Sequence, residues 1–330
     1  MSKSFLIIQT AFLGDAILST AVAEKLHAKF NDANIDVLVR KGNESIFENH
    51  PFIRTVLIWD KQNQKYKKLL EILNIIRRSQ YDEVINLQRF GASGLLTAFS
   101  KAKKTIGFRK NPFSFLFSER AEHLIKNGTH EINRNQQLIK NVTESNEPAL
   151  PKLYPSEKHF QSVKSYQGEQ YLTLSPASVW YTKSFPNYKW IELIQYLNSG
   201  KKFNIYLLGA KSEFDYCNYI LQKSFASNVI NLCGKLSILE SAALMKNAEM
   251  NYVNDSAPMH IASAMNAPVT AIYCSTIPDF GFGPLSGKSK IIQTTIPLPC
   301  KPCGLHGFKE CPLIHFKCGR SIEINEEMFP

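Results

Sequence analysis

No apolar run in these 330 residues approaches the ~18–20 that a membrane-spanning helix needs. The strongest N-terminal stretch, 5–18, is broken by Gln9, Thr10, Gly14 and Asp15, which also denies the chain the core of a secretory signal, so a cytoplasmic location is expected. The loop after the first apolar run holds one glycine, Gly14, where a dinucleotide fold uses G-x-G-x-x-G, and a nicotinamide dehydrogenase loses its main support. No D-x-D pair stands on a loop suited to a divalent cation, so no catalytic metal is expected. Acid is scarce relative to base: 28 Asp and Glu against 39 Lys and Arg leave a formal charge of +11, which predicts an anionic partner. That partner is not nucleic acid, because no recognised binding motif accompanies the charge. Seven cysteines, an odd count in a reducing compartment, argue against a disulfide framework.

What is present is an alternation of short apolar runs and amphipathic stretches, the pattern of strand–helix units and a parallel sheet. Strands are expected at 4–9, 35–39, 55–59 and 83–87, with helices at 17–30 and 67–78. The second of these helices is expected to bury Leu69, Leu70, Ile72, Leu73, Ile75 and Ile76. Near residue 147 the segment EPALPKLYPSE places three prolines in eleven residues, a linker or crossover. The alternation then restarts, with strands at 171–175, 203–208, 250–253 and 269–273 and helices near 188–197, 212–221, 238–246 and 256–265. The class is therefore α/β, two Rossmann-like halves, 1–150 and 151–330, expected to face each other across an interdomain cleft that takes the ligand.

Four segments carry candidate chemistry. Asp15 lies in TAFLGD, at the carboxyl end of the first strand; it reads either as a helix-start residue favoured by the macrodipole or as a general base. Asp255, Ser256, Ala257 and His260 lie in NDSAPMH, a strand-to-helix turn whose free N–H groups suit a diphosphate. Ser178 and Lys183 follow the first strand of the second half, and Glu213 follows the next; hydroxyl and ammonium suit phosphate oxygens, a carboxylate suits a ribose diol. Cys300-x-x-Cys303, then Cys311 and Cys318, with His306 and His315 between, offer ligand types compatible with structural zinc, or pack as a reduced loop without metal. The basic stretches KQNQKYKK, 61–68, and KAKKTIGFRK, 101–110, read as solvated faces or as contacts for a phosphorylated acceptor or an anionic membrane surface.

Read in order, FLIIQTAFLGDAILSTAVAEKL, VINLQRFGASGLLTAF, KTIGFRK, THEINRNQQL, LSPASVWYTKSFPNYKW, YLLGAKSEFD and VNDSAPMHIASAMNAPVTAIY resemble the family 9 glycosyltransferases, the heptosyltransferases of lipopolysaccharide core synthesis. The tail CKPCGLHGFKECPLIHFKC resembles the Cys-rich ending of a subset of them. The resemblance implies a GT-B architecture, residues 1–150 binding a lipid-linked saccharide acceptor and 151–330 the nucleotide-sugar donor. It implies inverting transfer of heptose from ADP-heptose without a cofactor, by a protein peripheral to the cytoplasmic face of the inner membrane. Asp15 matches the family's catalytic base, Lys183 a phosphate-contacting lysine and Glu213 the nucleoside-binding acid, while Asp255, Ser256, Ala257 and His260 match the donor-binding turn. Ala257 stands where Gly is usual and Ser256 where Thr is, which bears on the donor sugar. The alternatives are a GT-B transferase of another nucleotide sugar and a non-catalytic nucleotide-sugar-binding protein.

Overall fold

The structure, a computed structural model, describes residues 2–125, 128–168, 170–200 and 203–329. It divides into two compact units, Met1–Tyr154 and Pro155–Pro330. The sequence reading sets the break at 150. The chain stays on the first unit slightly longer because Lys152 donates its backbone N–H to Thr20 Oγ1 at 3.0 Å, Leu153 is buried and the Tyr154 hydroxyl donates to Glu24 at 2.6 Å.

The first unit runs β1 (Ser4–Gln9), α1 (Leu13–Lys29), β2 (Asn34–Arg40), β3 (Ile53–Trp59), α2 (Lys65–Ser79), β4 (Glu83–Asn86), α3 (Gly91–Ala98), β5 (Lys104–Phe108), β6 (Glu119–Ala121) and α4 (Glu131–Thr143). Its described strands form one parallel sheet in the order β3-β2-β1-β4-β5-β6. Phe5 to Gln9 are all buried, as expected of a central parallel strand covered on both faces. Helix α1 starts at Leu13, earlier than its apolar stripe suggests, and this brings Asp15 into its first turn. In α2 the buried residues are Leu69, Ile72, Leu73 and Ile76, the i, i+3, i+4, i+7 stripe. Leu70 and Ile75, read from sequence as part of that stripe, are exposed instead. One helix face cannot hold six apolar residues out of eight, so the two flanking ones are left outside.

The second unit repeats the plan with α5 (Glu157–Val163), β7 (Tyr171–Ser175), α6 (Asn187–Asn198), β8 (Asn204–Leu207), α7 (Phe214–Ser224), β9 (Val229–Asn231), α8 (Ile238–Lys246), β10 (Met250–Asn254), α9 (Ala257–Ala264), β11 (Val269–Tyr273), β12 (Ser289–Gln293) and the short α10 (Lys317–Arg320). Its parallel order, β12-β11-β10-β7-β8-β9, is the same winding as in the first sheet. The core gathers Leu172 and Leu174 of β7, Ile205 and Leu207 of β8, and Trp190, Leu193, Ile194 and Leu197 of α6. The tail, read from sequence as a zinc-binding or reduced loop, closes this core with Phe316, Cys318, Ile322 and Met328. Tyr252 holds it there by donating its hydroxyl to the Met328 carbonyl.

Both sheets reverse direction between their first and fourth strands, β1/β4 and β7/β10. In an open α/β sheet ligands bind outside the carboxyl ends of the strands at such a switch point, so the topology by itself singles out two loop clusters.

Candidate active site

At the first switch point β1 ends in Thr10-Ala11-Phe12 and β4 in Leu87-Gln88-Arg89. The β1 loop is fixed by its surroundings. Lys61 donates its ammonium to Thr10 O at 2.5 Å, Asn43 donates to Ala11 O at 3.1 Å, and Gln88 reaches the Gln9 side-chain oxygen. Burial, with Arg40 and Lys65 nearby, pulls the Lys61 ammonium down to about 8. Asp15 sits one turn on, half-buried. Burial raises its carboxyl to about 6, and the charge of Glu131 adds to this; Arg89 and the N–H groups of Phe12 and Asp15 act in the opposite sense. A carboxyl held there still ionises near neutral pH but is a stronger base than an ordinary aspartate.

Glu131 opens α4 and is itself buried. Arg134, one turn later, donates Nε to Glu131 Oε2 at 2.6 Å, and His123 Nε2 lies 3.3 Å from the same oxygen. Burial works to raise this carboxyl, but His123 and Arg134 together more than offset it and hold it below the usual glutamate range. Glu131 is therefore a fixed negative charge near Asp15. The sequence reading quoted THEINRNQQL without assigning it this work. The available signal was a Glu–Arg pair at i, i+3 in the first turn of a helix whose other face is apolar.

At the second switch point the loops after β7 and β10 meet. Lys183 Nζ lies 2.7 Å from Asp255 Oδ2, both side chains largely buried, and the same carboxylate oxygen accepts the Thr276 hydroxyl at 2.6 Å. Asn254, the last residue of β10, ties the two loops: its side-chain amide donates to Pro176 O at 2.8 Å and its oxygen accepts the Phe185 N–H at 2.8 Å. Sequence reading placed Asn254 in the motif without giving it this role. Ser256 is the N-cap of α9 with extended backbone, followed by Ala257 and Pro258, so the first N–H groups of the helix remain available. His260 is buried, its ring 6.4 Å from that of Phe282. Ser178 is partly exposed on the same loop as Lys183 and accepts the Trp180 N–H at 3.4 Å. Glu213 closes the turn that joins the neighbouring strand β8 to α7, where its Oε2 accepts the Ala210 N–H at 2.7 Å. The structure thus joins Lys183, Asp255, Ser256 and Ala257 in one cluster and leaves Glu213 on the adjoining loop.

The Cys-rich tail lies against this cluster. Phe308 donates its N–H to Thr182 Oγ1 at 2.8 Å, Thr182 returns its own N–H to Phe308 O at 3.1 Å, and Cys303 donates to Ser275 O at 2.8 Å. Gly307 is the close approach. Its φ is +74°, and a Cβ there would stand 2.8 Å from Thr182 Oγ1 and 3.0 Å from Lys183 Cγ. Gly307→Ala is expected to cost ~1–3 kcal/mol, read as a lowered Tm; an unchanged Tm would mean that the tail is not seated on the Lys183 loop.

The four tail thiols have the donor chemistry of a zinc site but are not gathered as one. Cys303 donates its thiol to Cys300 O at 3.1 Å, Cys300 Sγ lies 3.9 Å from His315 Nε2, Cys311 Sγ accepts the Phe316 N–H at 3.4 Å, and Cys318 is buried in the core. Among the described residues no three of His, Cys, Asp and Glu are grouped to hold a metal ion. Burial pushes the Cys318 thiol up to about 11, with Cys303, Cys300 and Cys311 adding to it against Lys301.

Among the described residues no helix is long and apolar enough to cross a membrane. The family model for glycosyltransferase family 9 (heptosyltransferase) matches residues 69–308, more than two thirds of the chain; Asp15, Cys311 and Cys318 lie outside that range. Lipopolysaccharide heptosyltransferase 3 of Escherichia coli is 25% identical over 282 residues, 80% of this chain and 82% of that one. Among solved structures, the glycosyl transferase family 9 protein of Veillonella parvula superposes with a TM-score of 0.79 at 19% identity, over 88% of this chain and 85% of that one. The E. coli ADP-heptose lps heptosyltransferase II gives 0.76 at 21%, over 92% and 96%. The two like-wound sheets are the GT-B fold that these neighbours share, and the chain belongs to glycosyltransferase family 9, the heptosyltransferase family, as a glycosyltransferase.

Proposed function

We propose that the protein moves a heptose, with inversion, from ADP-heptose to a lipid-linked saccharide of the lipopolysaccharide core. The first unit takes the acceptor and the second the donor. The observation that carries this reading is the Lys183–Asp255 pair beside the open N-terminus of α9, in a chain of family 9. Ammonium and free N–H groups together hold a departing diphosphate, the work a divalent cation does elsewhere. Lys183 and the N–H groups of Ser256 and Ala257 receive the diphosphate, with Ser178 on the same loop. Asp255 holds Lys183 in place, and His260 supports the turn from its buried position. Glu213, whose second oxygen is not used by the Ala210 cap, takes the ribose diol. In the first unit Asp15 removes the proton of the acceptor hydroxyl as its oxygen attacks the anomeric carbon; the C–O bond to the diphosphate breaks and the nucleoside diphosphate leaves with that electron pair.

The deciding experiment is a donor panel with purified protein and delipidated core saccharides, read as released ADP and as coupled product. Transfer from ADP-heptose is expected; transfer only from another nucleotide sugar overturns the sugar assignment and fits Ala257, whose Cβ stands where the family usually has Gly. Binding of donor without transfer would make the chain a nucleotide-sugar-binding protein.

The pH profile tests the base. Asp15 acts only when ionised, so activity is expected to rise with pH through a limb centred near 6. Glu131→Gln removes a negative charge near it and should move that limb to lower pH, whereas Arg89→Ala should move it higher. A limb that stays in place in both variants belongs to another group.

A structural zinc on Cys300, Cys303, Cys311 and either Cys318 or His315 belongs to the same reading, supported by the donor chemistry of the tail alone. About one zinc per chain and a Tm lowered by chelator are expected. A content well below one, with four titratable thiols in the tail, leaves packing alone to hold it. The protein acts on the cytoplasmic face of the inner membrane, reached as a peripheral protein through its basic surface.

A further inference from the structure

Thr182 stands one residue before Lys183 and Ser275 one residue before Thr276, and the two are buried at 1% and 0% exposure. Whatever they give the donor cluster therefore passes through their neighbours. The Ser275 hydroxyl donates to Thr182 Oγ1 at 3.0 Å. Lys183 and Thr276 both end on Asp255 Oδ2, at 2.7 and 2.6 Å. These contacts close a ring that runs from Thr182 to Lys183, across Asp255 to Thr276, and back through Ser275. Its members come from the loops after β7, β10 and β11, and the Asp255 N–H ties the ring to β11 by donating to Ile272 O at 3.2 Å.

The Cys-rich tail grips this ring at its two buried corners. Thr182 Oγ1 accepts the Phe308 N–H at 2.8 Å while the Thr182 N–H donates to Phe308 O at 3.1 Å, and Cys303 donates its N–H to Ser275 O at 2.8 Å. Between these contacts Gly307 leaves no slack. A Cβ there would stand 2.8 Å from Thr182 Oγ1, 3.0 Å from Lys183 Cγ and 3.2 Å from Ser275 Oγ. The tail thus fixes the base of the lysine stem while Asp255 holds its ammonium end. A four-carbon stem has many rotamers, and one already ordered loses less freedom when its ammonium meets an anion.

We propose that Thr182 is a positioning residue of the donor site, aiming the Lys183 ammonium at the diphosphate, and that residues 303–308 of the tail are the clamp that keeps Thr182 in place. The inference rests on the donor reading of the second unit given above. Thr182 itself touches no donor; its hydroxyl acts on the lysine next to it. The tail then belongs to the transfer machinery as well as to the core.

The test is calorimetry of ADP with the full chain in a double-mutant cycle. Thr182→Val keeps the shape of the side chain and removes the oxygen that accepts from Phe308 and Ser275. It is expected to weaken ADP binding ~3–10-fold, to raise the donor KM by a similar factor and to leave the acceptor KM where it is. Thr182→Ser retains the hydroxyl and should bind ADP as the wild type does. In a Lys183→Ala background Thr182→Val should have no further effect, because the group it positions is gone. Ser275→Ala leaves Thr182 in place and should show a smaller loss with the same dependence on Lys183, which keeps the test open if Thr182→Val does not fold. The proposal is overturned if the loss persists undiminished in the Lys183→Ala background, or if Thr182→Ser weakens binding as much as Thr182→Val. It is also overturned if neither Thr182→Val nor Ser275→Ala weakens ADP binding. A wild type that does not bind ADP, or binds it equally well with Lys183→Ala, overturns the donor reading itself and the inference with it.

Discussion

Asp15→Asn is expected to preserve fold and donor affinity while lowering turnover ~10²–10⁴-fold, the loss associated with a missing general base. The amide keeps the shape of the side chain, and its neighbours Phe12, Arg89 and Glu131 remain. Stability should not fall. The folded carboxyl titrates near 6 against an ordinary 3.8, so its stabilising contribution is full below the ordinary value and is lost as pH rises through 6. At pH 7–8 the native protein carries the ionised group at a cost, which the neutral amide removes, and the Tm of the variant should match or exceed that of the wild type. A variant that turns over at nearly the wild-type rate would reduce Asp15 to a helix-start residue.

Lys183→Ala is expected to weaken ADP binding about 10–100-fold by calorimetry, as one or two charge-assisted hydrogen bonds of ~1.5–3 kcal/mol are lost. Asp255 then keeps, among the described residues, the Thr276 hydroxyl as its side-chain donor, so the Tm is measured alongside to separate a ligand effect from a folding one. Glu213→Ala should cost less, roughly tenfold or below, because one of its oxygens is already engaged by the Ala210 N–H. If ADP affinity is unchanged in both variants, the donor site lies elsewhere and the assignment of the second unit to the donor goes with it.

Much of the fold was legible along the chain. Central parallel strands are covered on both faces, and runs such as Phe5 to Ile8 or Leu172 to Leu174 advertise that directly. Three of the four described edge strands do not. Glu119–Ala121, Val229–Asn231 and Ser289–Gln293 are short or half-exposed, and their apolar signal is too thin to separate from a loop. The tail misled for a different reason. Its apolar residues are spaced without a helical or strand period, and Phe316, Cys318, Ile322 and Met328 reach the core only through turns that no local pattern announces.

The candidate site divides along the same line. The sequence by itself determined which loops carry chemistry, because a strand–turn–helix junction with Asp15, Lys183 or Asp255 at the carboxyl end of a parallel strand is a local statement. Only the tertiary structure decided what those residues feel. Glu131 and Arg89 act on Asp15 from α4 and the β4 loop, Lys183 meets Asp255 across two strands, and Gly307 closes on Thr182 from the far end of the chain. Leu70 is the surface counterpart: periodicity marks it apolar, but which flank of α2 is covered depends on where α3 packs. Charge and close contact act through space over a few ångströms, and the residues that come that near are set by the winding of the sheets rather than by their order in the chain.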